Sequence, residues 1–170
     1  RECGINEENL HESFAGQRED AQNFVYPVLK EKIPEKADEM VEKIELAFGN
    51  YLDNPENFDY KPCLLHNDLE AEHILADKEK GIVTGIIDFG GVKLNDPDYD
   101  LWRPYFHFGR RFIEELLRSY PHQNPRKLFQ KMEFFWTAQV VHRALRPILL
   151  KDERKIVWAT ENLKKRVLET

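Results

Sequence analysis

Two stretches decide how this chain reads: His66-Asn67-Asp68-Leu69-Glu70-Ala71-Glu72-His73-Ile74-Leu75 and then Ile86-Ile87-Asp88-Phe89-Gly90. Between them the pattern is short and apolar, with His73-Ile74-Leu75-Ala76 and Ile82 to Ile87 flanking Asp77-Lys78-Glu79-Lys80-Gly81. Two β-prone runs around a polar, glycine-containing loop predict a β-hairpin. Polar residues His66 to Glu72 then form the loop entering the hairpin, and Asp88 falls where its second strand ends. Such a hairpin folds Asp68 and Asp88 back toward one cleft.

Working outward, the periodicity turns helical on both sides. Upstream, Phe24, Val25, Val28 and Leu29 share one helix face, with Pro27 kinking or starting that helix. A second helix begins at Pro34, a first-turn proline, and carries Met40, Val41, Ile44, Ala47, Phe48 and Tyr51 at helical spacing. Gly49 and Asp53-Asn54-Pro55 end it. Downstream of Asp96-Pro97, helices are expected near 97–108, 110–120, 125–149 and 153–168. In the third of these, Phe129, Met132, Phe135, Trp136, Val140 and Ala144 make a broad apolar stripe, read first as core. The expected fold class is therefore α+β and mostly helical, a single domain over residues 1–170 with a small β-hairpin at its cleft.

Composition fits that expectation: 41% hydrophobic and 33% charged residues among 170, without low-complexity segments, exclude collagen-like, coiled-coil and disordered classes. Apolar runs are broken by charge within a few positions, far short of the roughly 18 residues a membrane span needs. Cys3 and Cys63 match neither a disulfide framework nor a metal pattern, so reduced thiols in the cytoplasm are expected. The chain opens Arg1-Glu2-Cys3-Gly4 without an initiator Met, which reads as a piece of something longer. Charge is unevenly spread: residues 1–62 carry 7 basic and 15 acidic side chains, 63–103 carry 4 and 9, and 104–170 carry 14 and 7. A cationic small-molecule substrate suits the acidic part, whereas no basic patch interleaved with aromatics marks a nucleic-acid partner.

A third string, Asp96-Pro97-Asp98-Tyr99-Asp100-Leu101, completes the set. A loop carboxylate beside a substrate hydroxyl can accept its proton as the oxygen attacks phosphorus, while a second holds Mg²⁺ against the phosphates. Magnesium takes hard oxygen ligands and few protein carboxylates, which suits Asp88.

In this order and spacing, the three strings resemble the catalytic loop and metal-binding segment of the protein-kinase-like small-molecule phosphotransferases. They most resemble the enzymes that phosphorylate aminoglycoside antibiotics. The resemblance implies the C-terminal lobe of such a fold, with Asp68 as catalytic base, Asp88 as Mg²⁺ ligand, His66 as the structural histidine of the loop and Asp100 as a brace behind it. Where most of these enzymes have Asn as the second metal and cofactor ligand, this chain has His73, a poorer donor to Mg²⁺. The 2″-aminoglycoside phosphotransferases look similar in using His there and make the nearest subgroup. ATP or GTP is the implied co-substrate. The nucleotide-covering loop and Lys–Glu pair of the N-terminal lobe are not found before His66, so the resemblance implies a missing N-terminal lobe as partner and a fragment inactive alone. For a polycationic, ring-bearing acceptor it points to Glu114, Glu115, Glu133 and Trp136.

Three other readings stay open at this stage. The acceptor can be choline, homoserine, a macrolide or a sugar amine. The chain can be a kinase-like module that binds without catalysis. His66, Asp68, His73 and Asp88 can instead surround Zn²⁺ or Mn²⁺ in a metal-dependent hydrolase.

Overall fold

The computed structural model describes residues 9–120 and 122–169, which leaves Cys3 outside the described residues. By its internal contacts the chain divides into two compact units, one formed by Leu10–Phe58 with Phe134–Thr170 and one containing Asp59–Glu133.

The first unit is all-helical. Helix α1 (Leu10–Asp20) runs through a π-turn (Ala21–Val25) into α2 (Tyr26–Lys32), and α3 (Pro34–Leu52) follows. Pro27 has no N–H to give to the preceding turn, and the widened π-turn before it accommodates that loss, so Pro27 sits in the first turn of α2. Along α3, Ala37, Met40, Ile44, Phe48 and Tyr51 are buried at helical spacing, as the periodicity predicts. Tyr51 stacks on Phe134 at 3.9 Å, and Phe14 and Phe48 meet Phe134 edge-on at 4.9 and 5.3 Å. Aromatic pairs in these geometries add to the stabilisation from burial alone. Glu45 of α3 accepts hydrogen bonds from Arg18 of α1, Gln22 of the π-turn and Tyr26 of α2, at 2.6–2.9 Å. Helix α7 (Glu153–Leu168) is capped by Asp152, whose carboxylate accepts from the Lys155 N–H, and buries Ile156, Ala159 and Leu163.

The second unit carries the strands. β2 (Ile74–Asp77) and β3 (Ile82–Ile86) form the expected hairpin, with a bulge between Leu75 and Ala76. Its turn is shaped by the Asp77 carboxylate, which accepts from the N–H groups of Glu79 and Lys80, and by Gly81 at φ 63°. The hairpin is itself bracketed by a second antiparallel ladder, β1 (Cys63–Leu65) with β4 (Lys93–Asn95), in register Cys63↔Asn95 and Leu65↔Lys93. The sequence reading has no counterpart for β4. Three residues are too few for a legible alternation, and pairing across the whole hairpin leaves no local signal.

The expected helix over 97–108 is a 3₁₀ turn (Pro97–Leu101) leading into α4 (Trp102–Phe108), because Asp96 caps the turn through the Asp98 N–H. Helix α5 (Arg110–Leu116) stops short of 120, while α6 (Pro125–Leu149) and α7 keep the expected bounds. Among the described residues no helix is long and apolar enough to cross a membrane.

Candidate active site

The β1–β4 ladder sets the loop that follows Leu65 beside the segment that precedes Lys93. At the root of that loop, the Asp100 carboxylate accepts from the N–H groups of His66 and Asn67, both at 2.7 Å. Burial pushes the Asp100 carboxyl above its ordinary range, while these two bonds favour its charged form. His66 is buried; its Nε2 donates to the Ile87 carbonyl at 2.8 Å and its Nδ1 accepts from the Asp68 N–H at 3.3 Å. Both ring nitrogens are thereby used within the protein. That removes His66 from any metal-ligand set and with it the hydrolase reading that needs it.

Two non-glycine residues adopt left-handed backbone here, Asn67 at φ 64° and Asp88 at φ 63°. Such conformations persist where the surroundings over-determine them, and they concentrate at functional loops. Asn67 immediately precedes Asp68, and Asp88 stands between β3 and the 3₁₀ turn Phe89–Gly91. Asp88 is well exposed, at 62%. His73 joins the two: its Nδ1 donates to the Asp68 carbonyl at 2.7 Å, which leaves Nε2 3.7 Å from Asp88 Oδ2. The bond to the Asp68 carbonyl and the surrounding carboxylates hold the His73 imidazole above its ordinary pKa, against its desolvation. The Gly91 backbone runs alongside the loop, where a methyl would be in ordinary contact with the His66 carbonyl at 3.5 Å and Asp68 Cβ at 3.6 Å.

Asp68 is also held from outside the loop. Arg103, in the first turn of α4, reaches Asp68 Oδ1 at 3.0 Å and pairs with Glu70 through its other amino group, and Glu70 also pairs with His107. Behind the 3₁₀ turn, the buried Lys131 ammonium lies 2.5 Å from both Asp96 and Asp98, and His122 meets Asp98 at 2.9 Å. Burial pushes Asp96 above the ordinary carboxylate range and the Lys131 charge opposes it.

A cavity of about 520 Å³ lies among α4, α5 and the start of α6, lined by residues including Tyr105, Arg110, Glu114, Arg126, Phe129 and Glu133. Arg110 stacks over Phe129 at 4.1 Å and pairs with Glu114 at 2.8 Å, and Tyr105 donates to Glu133. Of the four residues expected at an acceptor pocket, Glu114 and Glu133 converge here. Glu115 lies outside the lining and pairs with Arg118 at 2.9 Å, because adjacent helix positions face about 100° apart. Trp136, in the other unit, has its ring under the Arg166 guanidinium at 4.2 Å.

Residues 8–135 match the phosphotransferase enzyme family. The chain belongs to that family. Among solved structures, the GDP and kanamycin complex of APH(2″)-IIia superposes with a TM-score of 0.85 at 27% identity, over 96% of this chain and 53% of that one. The gentamicin complex of APH(2″)-IIa gives 0.67 at 27% identity, over 92% and 51%. Macrolide 2′-phosphotransferase type I gives 0.65 at 18% identity over 90% and 47%, a likeness of fold alone. The chain thus spans about half the length of the structures it matches.

Asp88 presents one exposed carboxylate with the His73 Nε2 3.7 Å away, and among the described residues no three His, Cys, Asp or Glu side chains converge as a metal site. A hard cation held by Asp88 would need its remaining ligands from other molecules. The sequence reading passes over Glu70, Arg103, His107, Lys131 and His122. Arg103 carries a detectable signal, as the one arginine in the acidic stretch 63–103. The others lie too far apart in sequence from their partners to be paired without the fold.

Proposed function

We propose that this chain is the kinase-like C-terminal lobe, residues 1–170, of an enzyme that transfers the terminal phosphoryl group of ATP or GTP to a hydroxyl of an aminoglycoside. Asp68 is the base that orients and deprotonates the acceptor hydroxyl. Asp88 holds Mg²⁺, with His73 beside it as a second, weaker donor. The magnesium ion, when bound, neutralises charge on the phosphates. His66 and Asp100 hold the loop, and Glu114 and Glu133 face the cationic acceptor. The nucleotide-covering lobe lies outside these residues in this proposal, and the chain alone does not turn over.

The observation that carries the reading is the His73 bridge, bonded at Nδ1 to the Asp68 carbonyl with Nε2 3.7 Å from Asp88 Oδ2. It ties the base-bearing loop to the metal-bearing loop through one rigid ring. The GDP, kanamycin and gentamicin bound in the similar structures support the nucleotide and acceptor classes.

Calorimetric titration of this chain with kanamycin, gentamicin, choline and homoserine at low and high salt tests the acceptor class. The expected result is binding of the aminoglycosides alone, weakened by salt because exposed charges are screened. Charge reversal at Glu133 is expected to weaken it roughly tenfold, and reversal at Glu115 to leave it unchanged. Binding of choline or homoserine in place of the aminoglycosides, or of none of the four, contradicts the aminoglycoside assignment.

A further inference from the structure

We infer that Arg103 is a positioning residue for the Asp68 base, held in place by Glu70 and His107. The inference rests on the phosphotransfer reading of Asp68 and extends it to residues outside the three sequence strings.

A general base needs a third group to fix its orientation, because a carboxylate that swings about its χ angles spends little time aligned with the acceptor proton. At Asp68 that group is a guanidinium. Arg103 Nη2 meets Oδ1 at 3.0 Å. One oxygen is therefore clamped, and in this proposal the other takes the acceptor proton. Asp68 is 43% exposed whereas the Arg103 side chain is 16% exposed, so the clamp is more sheltered than the group it holds. A sheltered charge pair is screened less by water and salt than a surface pair.

Arg103 is itself held by two further groups, one of them braced in turn. Its neighbour Trp102 is buried and lies under the guanidinium, 4.6 Å from ring centroid to Cζ. Its Nη1 donates to Glu70 Oε1, and Glu70 Oε2 takes the His107 Nε2, one turn further along α4. Glu70 stands two residues after Asp68, with its N–H on the Asp68 carbonyl at 2.8 Å. The planar fork of Arg103 thus bridges two carboxylates of one short loop, a geometry that a lysine ammonium cannot reproduce. In the step that this serves, the acceptor O–H proton passes to Asp68 Oδ2 as the new O–P bond forms. The bond from the terminal phosphorus to the bridging oxygen breaks, and the nucleoside diphosphate leaves with the electron pair.

The test has two independent readouts on the full protein that carries this chain. In ¹⁵N spectra, a clamped Arg103 shows separate, slowly exchanging Nη signals that collapse in Asp68→Asn and in Glu70→Gln. A freely rotating guanidinium in the parent protein overturns the clamp whatever the activity, and leaves the phosphotransfer reading standing. In steady-state transfer from GTP or ATP to kanamycin, Arg103→Met is expected to lower kcat about 10- to 100-fold, with acceptor KM within about twofold. Arg103→Lys recovers part of the loss. In an Asp68→Asn background, Arg103→Met adds less than about twofold, because Arg103 acts through that carboxylate. Full additivity, or an unchanged kcat in Arg103→Met, overturns the inference. A parent protein whose transfer is indifferent to Asp68→Asn overturns the phosphotransfer role of Asp68 instead, and the positioning role with it. Should Arg103→Met fail to fold, Arg103→Lys carries the kinetic readout, and the ¹⁵N readout needs no variant at Arg103.

Discussion

The two units of this chain are held together by different physics. In Leu10–Phe58 with Phe134–Thr170, long helices bury an aromatic cluster of Phe14, Phe48, Tyr51, Phe134 and Phe135, and the polar tie at Glu45 sits at its margin. In Asp59–Glu133, strands of three to five residues, 3₁₀ turns and the seven-residue helices α4 and α5 are all short, and charged groups are buried among them: Asp96, Asp98 and Lys131. Non-directional burial suffices where the task is to persist. Directional bonds are needed where carboxylates must be held at fixed positions in irregular loops, and they carry a cost, since each buried charge depends on its partner.

That comparison is broken most sharply at Lys131. Lys131→Met leaves Asp96 and Asp98 buried without their cation and is expected to cost about 3–5 kcal/mol in urea unfolding. Replacing all three, Lys131→Leu with Asp96→Asn and Asp98→Asn, is expected to recover most of that loss, because the penalty comes from the orphaned charges. Phe48→Ala in the helical unit is expected to cost a similar ~3–5 kcal/mol through a cavity, with no such polar rescue. An Lys131→Met protein of parental stability would mean that the buried ions do not organise their unit.

The next effect is local. Asp100→Ala removes two charge-assisted bonds to the backbone of the His66–Asp68 loop, worth roughly 1–3 kcal/mol. Exchange of the His66 and Asn67 amides is expected to quicken about 10- to 100-fold, while amides of α3 stay protected. Uniform quickening would show that Asp100 supports the fold as a whole rather than the loop.

The smallest effect is expected at Glu45. Partial burial pushes this carboxyl up, but hydrogen bonds from Arg18, Gln22 and Tyr26 outweigh it and hold the pKa below the ordinary value. A carboxyl depressed in the folded state contributes stability that is fully present above its unfolded pKa and lost as pH falls through the folded one. Glu45→Gln is therefore expected to cost about 1 kcal/mol at neutral pH, with the gap to the parent closing in acid. A pH-independent gap in thermal unfolding would contradict the charge's role.

Legibility followed the same divide. The helices of α3, α6 and α7 are readable because apolar residues recur at a period the helix imposes, and Pro34 marks the start of α3. The hairpin is readable from Asp77 to Gly81, whose residue types the turn requires. The β1–β4 ladder is not, since Leu65 and Lys93 pair across the hairpin. Asp68 and Asp88 stand out through their flanking strings, but Arg103, Glu70 and Lys131 acquire meaning from partners brought near by the fold. Glu115 shows the converse limit: composition places it beside Glu114, and helix geometry turns it away.

The most direct measurement is transfer of labelled terminal phosphate from ATP or GTP to kanamycin by the full protein, with and without Mg²⁺, for the parent and for Asp68→Asn. The account predicts Mg²⁺-dependent phosphorylation of a kanamycin hydroxyl, reduced roughly 10²- to 10⁴-fold by Asp68→Asn while nucleotide binding is retained. Phosphorylation that proceeds undiminished in Asp68→Asn, or a folded, nucleotide-binding parent that leaves kanamycin unlabelled, contradicts it.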